Sequence, residues 1–425
     1  MKSNRKLVFQ VGLPAVLVGG LAFGRLQSVP VAQGRGGAPA FKVDPMWPKP
    51  LPNHWLFGSI TGVAVDAQDH IWVVHRGADS LNARTEIGLV GDPPSAEACC
   101  APAPQVLEFD PAGNLVGHWG GAGQGYEWPL SPGGIAVDAK GNVWITASGP
   151  PNPLAAARGT SDEAGPARGG GAGRAGGTPA AGAAGRGGSG AAPGPQDAHV
   201  LKFSRSGQFV MQIGHAGKTG DSNSTDALNR PTAIDVDTAA NEVYVADGLT
   251  NRRIVVFDAQ TGAYKRHWGA YGAKPDDANL AAYDPAAAPA KQFSAPSCVK
   301  LSKDGMVYVC DRKNNRIQVF QKDGKFVKEG IVSKATLGEG AAWDVAFSRD
   351  PQQQFLYVAD GQDQKVFLLR RDTLEVVTNF GDGGRWPGYF YGVGSIALDS
   401  KGNVYTGETF EGKRLQKFVA QGGGR

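Results

Sequence analysis

The fold is decided by one stretch: Cys298-Val299-Lys300-Leu301, the turn Lys303-Asp304-Gly305, Val307-Tyr308-Val309-Cys310-Asp311, and then Arg316-Ile317-Gln318-Val319-Phe320. Three short apolar runs, rich in β-branched and aromatic residues, are separated by Asp, Gly and Asn. Runs this short, bounded by turn formers, are strands joined by hairpins. No long segment of helical period competes with that reading.

The same pattern recurs along the chain. Gly62-Val63-Ala64-Val65-Asp66 leads to Ile71-Trp72-Val73-Val74, and Gly134-Ile135-Ala136-Val137-Asp138 leads to Val143-Trp144-Ile145. Ala233-Ile234-Asp235-Val236-Asp237 leads to Val243-Tyr244-Val245-Ala246-Asp247. Asp344-Val345-Ala346-Phe347 leads to Leu356-Tyr357-Val358-Ala359-Asp360, and Ser395-Ile396-Ala397-Leu398-Asp399 leads to Val404-Tyr405. Third strands follow, such as Ile254-Val255-Val256-Phe257, and fourth strands end in pairs such as Trp119-Gly120 and Phe380-Gly381. Four strands per repeat is the blade of a propeller. The expected fold is therefore all-β: a six-bladed β-propeller spanning residues 41–420. Blade six lacks a fourth strand of its own, and Phe41-Lys42-Val43-Asp44 is the natural donor to close the ring. The closest blade starts lie 46 residues apart and the widest 99. That excess marks insertions, since a blade needs only about 40–50 residues. The largest, at 150–196, is dominated by Gly and Ala and cannot bury enough apolar surface to order itself.

Residues 1–32 read as a secretory signal. Lys2, Arg5 and Lys6 precede an apolar run from Leu7 to Phe23, and small residues at Ala22–Gly24 or Val31–Ala32 suit cleavage. The alternative is an uncleaved anchor, although the run is short for a span and contains Pro14. Export to the periplasm or the extracellular space is expected, with no membrane span in the mature form. Residues 1–40 hold five basic residues and no acidic ones, so the remainder carries 38 basic against 39 acidic residues. A near-neutral body excludes the electrostatic case for nucleic acid.

The repeats resemble the NHL family. Asp247 with Asn251-Arg252-Arg253-Ile254, and Asp311-Arg312-Lys313-Asn314-Asn315-Arg316-Ile317-Gln318-Val319-Phe320, match its D-x-x-N-x-R-I-x-V-F consensus closely. Within that family the chain is most similar to the peptidyl-α-hydroxyglycine α-amidating lyases, through Arg230-Pro231-Thr232, Ala295-Pro296 and Cys310-Asp311-Arg312. The resemblance implies cleavage of the N–Cα bond of a peptidyl-α-hydroxyglycine at a zinc held by three histidines, each just after a Pro on an innermost strand. The matching positions here are Gly133, Ser297 and Gly394; Leu249 stands for the catalytic tyrosine and Ser395 for a calcium-ligating Asp. A catalytic zinc needs three protein donors. No metal or other cofactor is therefore expected; zinc or calcium enters only if the lyase chemistry survives in altered form.

Two arginines of the resemblance are kept, Arg76 and Arg312. An arginine can grip a carboxylate bidentately. With His75, Asp247 and Asp311 they form the candidate ligand-binding set. Asp247, Asp311 and Asp360 recur at one blade position, either as a ring of carboxylates for a cation or as ties for their own loops. Cys298 and Cys310 flank Asp304 symmetrically and would face each other in a regular hairpin. Cys99 and Cys100 could pair with each other, bridge to blade four or stay free. Arg385-Trp386-Pro387-Gly388-Tyr389-Phe390-Tyr391 reads as a recognition platform or as a packed plug. The expectation is a ligand- or partner-binding module for a small anionic ligand, peptide or protein at a propeller face. The alternative is a divergent amidating-lyase-like enzyme using the central channel.

Overall fold

The computed structural model describes residues 37–150 and 195–421. The expected signal at 1–32, and nearly all of the expected insertion at 150–196, lie outside the described residues. Each repeat forms one antiparallel sheet. Ahead of the first lie β1 (Ala40–Asp44) and β2 (Trp55–Leu56). Blade one is β3 (Ile60–Val65), β4 (Ile71–His75), then β6 (Val106–Phe109) and β7 (Leu115–Trp119), with the short β5 (Ala101–Pro102) in the insertion pairing with β2. Blade two is β8 (Pro132–Val137), β9 (Val143–Ala147), β10 (His199–Phe203) and β11 (Phe209–Gly214). Blade three is β12 (Ala233–Asp237), β13 (Glu242–Asp247), β14 (Arg253–Asp258) and β15 (Tyr264–Trp268). Blade four is β16 (Pro296–Leu301), β17 (Val307–Asp311), β18 (Arg316–Phe320) and β19 (Phe326–Ile331). Blade five is β20 (Asp344–Phe347), β21 (Phe355–Asp360), β22 (Lys365–Arg370) and β23 (Val376–Phe380). Blade six is β24 (Val393–Leu398), β25 (Val404–Glu408) and β26 (Leu415–Gln421).

The first strands touch in a closed cycle, β3 to β8, β12, β16, β20, β24 and back to β3. They wall a central channel. Blade six takes β1 as its fourth strand: Phe41 lies opposite Ala420 and Val43 opposite Phe418.

The repeat motif explains the hairpins. The Asp that ends a first strand accepts backbone amides of its own turn and a donor from the aromatic residue of the second strand. Asp66 Oδ1 takes the amides of Gln68 and His70, both at 2.9 Å, while Oδ2 takes Trp72 Nε1 at 3.1 Å. Asp138 does the same with Lys140, Asn142 and Trp144, and Asp399 with Lys401, Asn403 and Tyr405. The big ring is thereby buried with its polar tip satisfied. Among the described residues, apolar clusters sit between neighbouring blades. Trp47, Ile60, Tyr405 and Leu415 join blades six and one, and Phe41, Tyr357, Phe380 and Phe418 join five and six.

Candidate functional site

First strands begin, and second strands end, at the same face of the ring, since Pro296 lies opposite Asp311 and Val393 opposite Glu408. This face is the channel mouth. Thr61, Thr232, Ser297 and Gly394 line it, with Gly133 against Thr232 and Trp343 against Gly394. Just inside, Lys300 and Asp344 line the channel. Lys300 Nζ lies 4.0 Å from Asp344 Oδ1. Burial raises the Asp344 and Asp235 carboxyls, and Lys300 partly offsets that in both. Each carboxylate also accepts an amide from the next blade, Asp235 from Leu301 at 2.7 Å and Asp344 from Ile396 at 3.0 Å. The channel is thus bridged by charge just inside its mouth.

The five candidate residues divide into two groups. His75, Asp247 and Asp311 work inside the fold. His75 is fully buried; Nδ1 accepts the amides of Gly58 and Gly77, both at 3.0 Å, and Nε2 donates to the Pro104 carbonyl at 3.0 Å. Burial pushes its pKa down to about 4, so the ring is neutral at physiological pH. It pins the turn that carries Arg76, whose own amide donates to Ser59 at 3.0 Å. Asp247 takes Arg253 Nε at 3.0 Å and Asp311 takes Arg316 Nε at 2.8 Å, with all four side chains buried. Both carboxylates are fully buried in these pairs.

Arg76 and Arg312 directly follow the second strands of blades one and four, at the end of those strands that meets the mouth. The Arg312 guanidinium lies 4.6 Å from the Trp343 ring centre, and Nη2 donates to Glu339 Oε2 at 2.8 Å. Trp343 is fixed in turn by Nε1 on the Gly340 carbonyl at 2.6 Å and by an edge contact with Phe410. A third arginine, Arg230, reaches the same rim, with Nε on the Ser148 carbonyl at 3.0 Å. Its signal in the sequence is the Arg230-Pro231 step into the blade-three first strand.

The zinc of the amidating lyases does not fit this mouth. A Cβ at Gly133 would collide with the hydroxyls of Ser148 and Thr146. Ser297 Oγ donates to the carbonyls of Ala342 at 3.0 Å and Trp343 at 2.7 Å, and Gly394 offers no donor. Ser395, in place of the calcium Asp, is buried and faces Gly407. Elsewhere Asp66, His70 and Glu108 gather within 4.8 Å of one another. Arg205 of blade two lies among them, with Nη1 on Asp66 at 2.9 Å and Nη2 on Glu108, so the protein supplies that cation itself.

Cys298 and Cys310 are opposite in register and disulfide-bonded, with a Cα–Cα separation of 4.9 Å. Cys99 and Cys100 are bonded to each other. The aromatic segment 385–391 splits its roles: Phe390 is fully buried in the blade-five to blade-six core, whereas Trp386 is 78% exposed. The Arg385 guanidinium lies over the Tyr391 ring at 4.4 Å.

An NHL repeat matches residues 293–320, the stretch that holds Arg312 and its blade-four hairpin. The chain is a six-bladed β-propeller with an NHL repeat in its fourth blade. It is 28% identical over 188 residues to NHL repeat-containing protein 3 of Mus musculus, covering 43% of this chain and 45% of that one. It is 24% identical over 339 residues to peptidyl-glycine alpha-amidating monooxygenase of Mus musculus, covering 76% of this propeller and 27% of that protein. The propeller thus spans less than half the length of these curated relatives. Among solved structures, virginiamycin B lyase from Staphylococcus aureus aligns with a TM-score of 0.43 at 11% identity, covering 90% of this chain and 89% of that one. No helix among the described residues is long and apolar enough to cross a membrane.

Proposed function

We propose that this propeller is an exported binding protein that takes the carboxylate of a small molecule or peptide at its channel mouth and has no zinc lyase chemistry. The observation that carries the reading is the composition of the rim: arginines at 76, 230 and 312 surround it, while 133, 297 and 394 offer no metal donor. Guanidinium groups backed by an aromatic ring are a fixed receptor for a planar anion. Export is supported by Lys2, Arg5 and Lys6 ahead of the Leu7–Phe23 run. Two disulfides suit an oxidising compartment.

The test is calorimetric titration with a short amino-blocked peptide bearing a free C-terminal carboxylate, beside metal analysis of the same preparation. Saturable binding that weakens about tenfold in Arg76→Ala is expected, because a buried charge-assisted pair is lost. Stoichiometric zinc, with conversion of a peptidyl-hydroxyglycine to the amide, would instead establish the divergent lyase that the similarity to the amidating monooxygenase suggests.

A further inference from the structure

Three blades share a latch. On the third strand of blade three, Arg253 bonds Asp247 and also the carbonyls of Ser222 (3.3 Å), Ser224 and Ala227 (2.7 Å), in the loop that leads into the blade. In blade four, Arg316 bonds Asp311 and the lead-in carbonyls of Ala290 (2.8 Å) and Gln292 (3.3 Å). In blade six, Arg414 bonds Glu408 and the lead-in carbonyls of Arg385, Trp386 and Tyr389. Each carboxylate also receives a lead-in amide: Asn229, Ser294 and Tyr391 in turn.

Blade five breaks the pattern. The residue opposite Asp360 is Lys365, whose ammonium group, unlike the three arginines, bonds none of the lead-in carbonyls. Among the described residues Asp360 accepts only the amides of Gln362 and Asp363 from its own turn, and its buried Oδ2 has no partner there. The lead-in loop of blade five is tied to its own blade without an arginine: Thr336 Oγ1 donates to Asp363 Oδ2 at 2.7 Å and the Glu339 amide to Gln362 Oε1 at 3.1 Å. It is pinned at two points by Asn315 of blade four, which donates to the Thr336 carbonyl at 2.6 Å and accepts the Ala341 amide at 2.7 Å. Between those points lies Leu337-Gly338-Glu339-Gly340. Both glycines have positive φ, +68° and +79°, so the residue between them is carried on the most permissive backbone available. That residue is Glu339, and its carboxylate is the one on Arg312.

We infer that the 337–340 tip is a built-in pseudo-ligand, in which Glu339 occupies the Arg312 guanidinium and an anionic ligand binds by displacing it. The inference rests on the mouth being an anion site, as proposed above. The device sets selectivity as well as affinity. A ligand must out-compete an internal carboxylate, so weak or monodentate anions are rejected and a group that also engages the rest of the rim is kept. The tip is held to blade five by single hydrogen bonds to Gln362 and Asp363 in place of a buried arginine, so it can yield without unfolding the blade.

The experiment titrates the full chain with the same amino-blocked, carboxylate-ended peptide, using wild type, Glu339→Gln, Lys365→Arg and Arg76→Ala. Glu339→Gln keeps the shape of the tip and removes its charge; it is expected to bind the probe about tenfold tighter, because the competent state no longer pays for displacement. Lys365→Arg supplies the absent latch and is expected to raise the melting temperature while weakening binding severalfold. If wild type binds, Arg76→Ala loses binding and Glu339→Gln is no tighter, the pseudo-ligand is wrong and the anion site stands. If Lys365→Arg raises the melting temperature and leaves affinity unchanged, the latch plays no part in displacement. If no variant binds the probe, the anion site itself falls.

Discussion

His75 shows how a residue placed among ligand candidates by its neighbours serves the site indirectly. It sits beside Arg76 in the sequence, and its ring is spent on two amides and one carbonyl that converge from three separate segments. His75→Ala strips partners from all three buried groups. The expected cost is about 3 kcal/mol, measured by urea denaturation, since each unsatisfied buried group costs about 1–3 kcal/mol. The pH dependence follows from the same contacts. The folded pKa of about 4 lies below the ordinary 6.5, so the unfolded chain binds the extra proton between those values. Stability from this residue is thus full above pH 6.5 and is lost as pH falls toward 4. Thermal melts of His75→Ala should lack that acid slope; an unchanged slope would assign it to another group. None of this was legible in the sequence, because the partners Gly58 and Pro104 meet His75 only after the blade-one insertion has folded back.

At the scale of the element, the latch is the unit that matters. Arg253 is wholly buried with Asp247, and removing one member of such a pair leaves a buried charge alone. Arg253→Met should cost about 3–5 kcal/mol in chemical denaturation, and a cost below 1 kcal/mol would mean the lead-in loop is held by other contacts. Blade five behaves differently. Burial raises the Asp360 carboxyl to about 8, with Asp363 adding to the rise and Lys365 opposing it. Its folded pKa lies above its unfolded one, so its contribution is full below about pH 4 and is lost as pH rises to about 8. Asp360→Asn should therefore melt above wild type at pH 8.5, and the gap should close toward pH 4. Strands and hairpins were readable because a two-residue period and an Asp-led turn are local signals. The arginine consensus was readable too. Its substitution by Lys365 acquired meaning only once the carbonyls held by Arg253, Arg316 and Arg414 were seen to belong to lead-in loops.

For the whole molecule the decisive feature is closure. Six sheets make a ring only if the last is complete, and blade six supplies just three strands from its own repeat. The sequence betrayed both the deficit and the donor, because Phe41-Lys42-Val43-Asp44 alternates like a strand with no hairpin partner nearby. Phe41 is 3% exposed and packs on Tyr357 and Phe380, with ring centres 5.8 Å and 5.1 Å away. Its main chain covers the edge of β26, which would otherwise present unpaired amides and carbonyls to other chains. Phe41→Ala should cost about 3–5 kcal/mol, as expected for a phenylalanine taken from a packed interior. A chain lacking residues 37–46 should do worse, since it loses the edge cover as well as the ring; size-exclusion chromatography should find it aggregated. The two outcomes separate side-chain packing from ring closure. If the truncated chain stays monomeric and melts no lower than Phe41→Ala, then the strand contributes its phenylalanine alone and the ring does not depend on being closed.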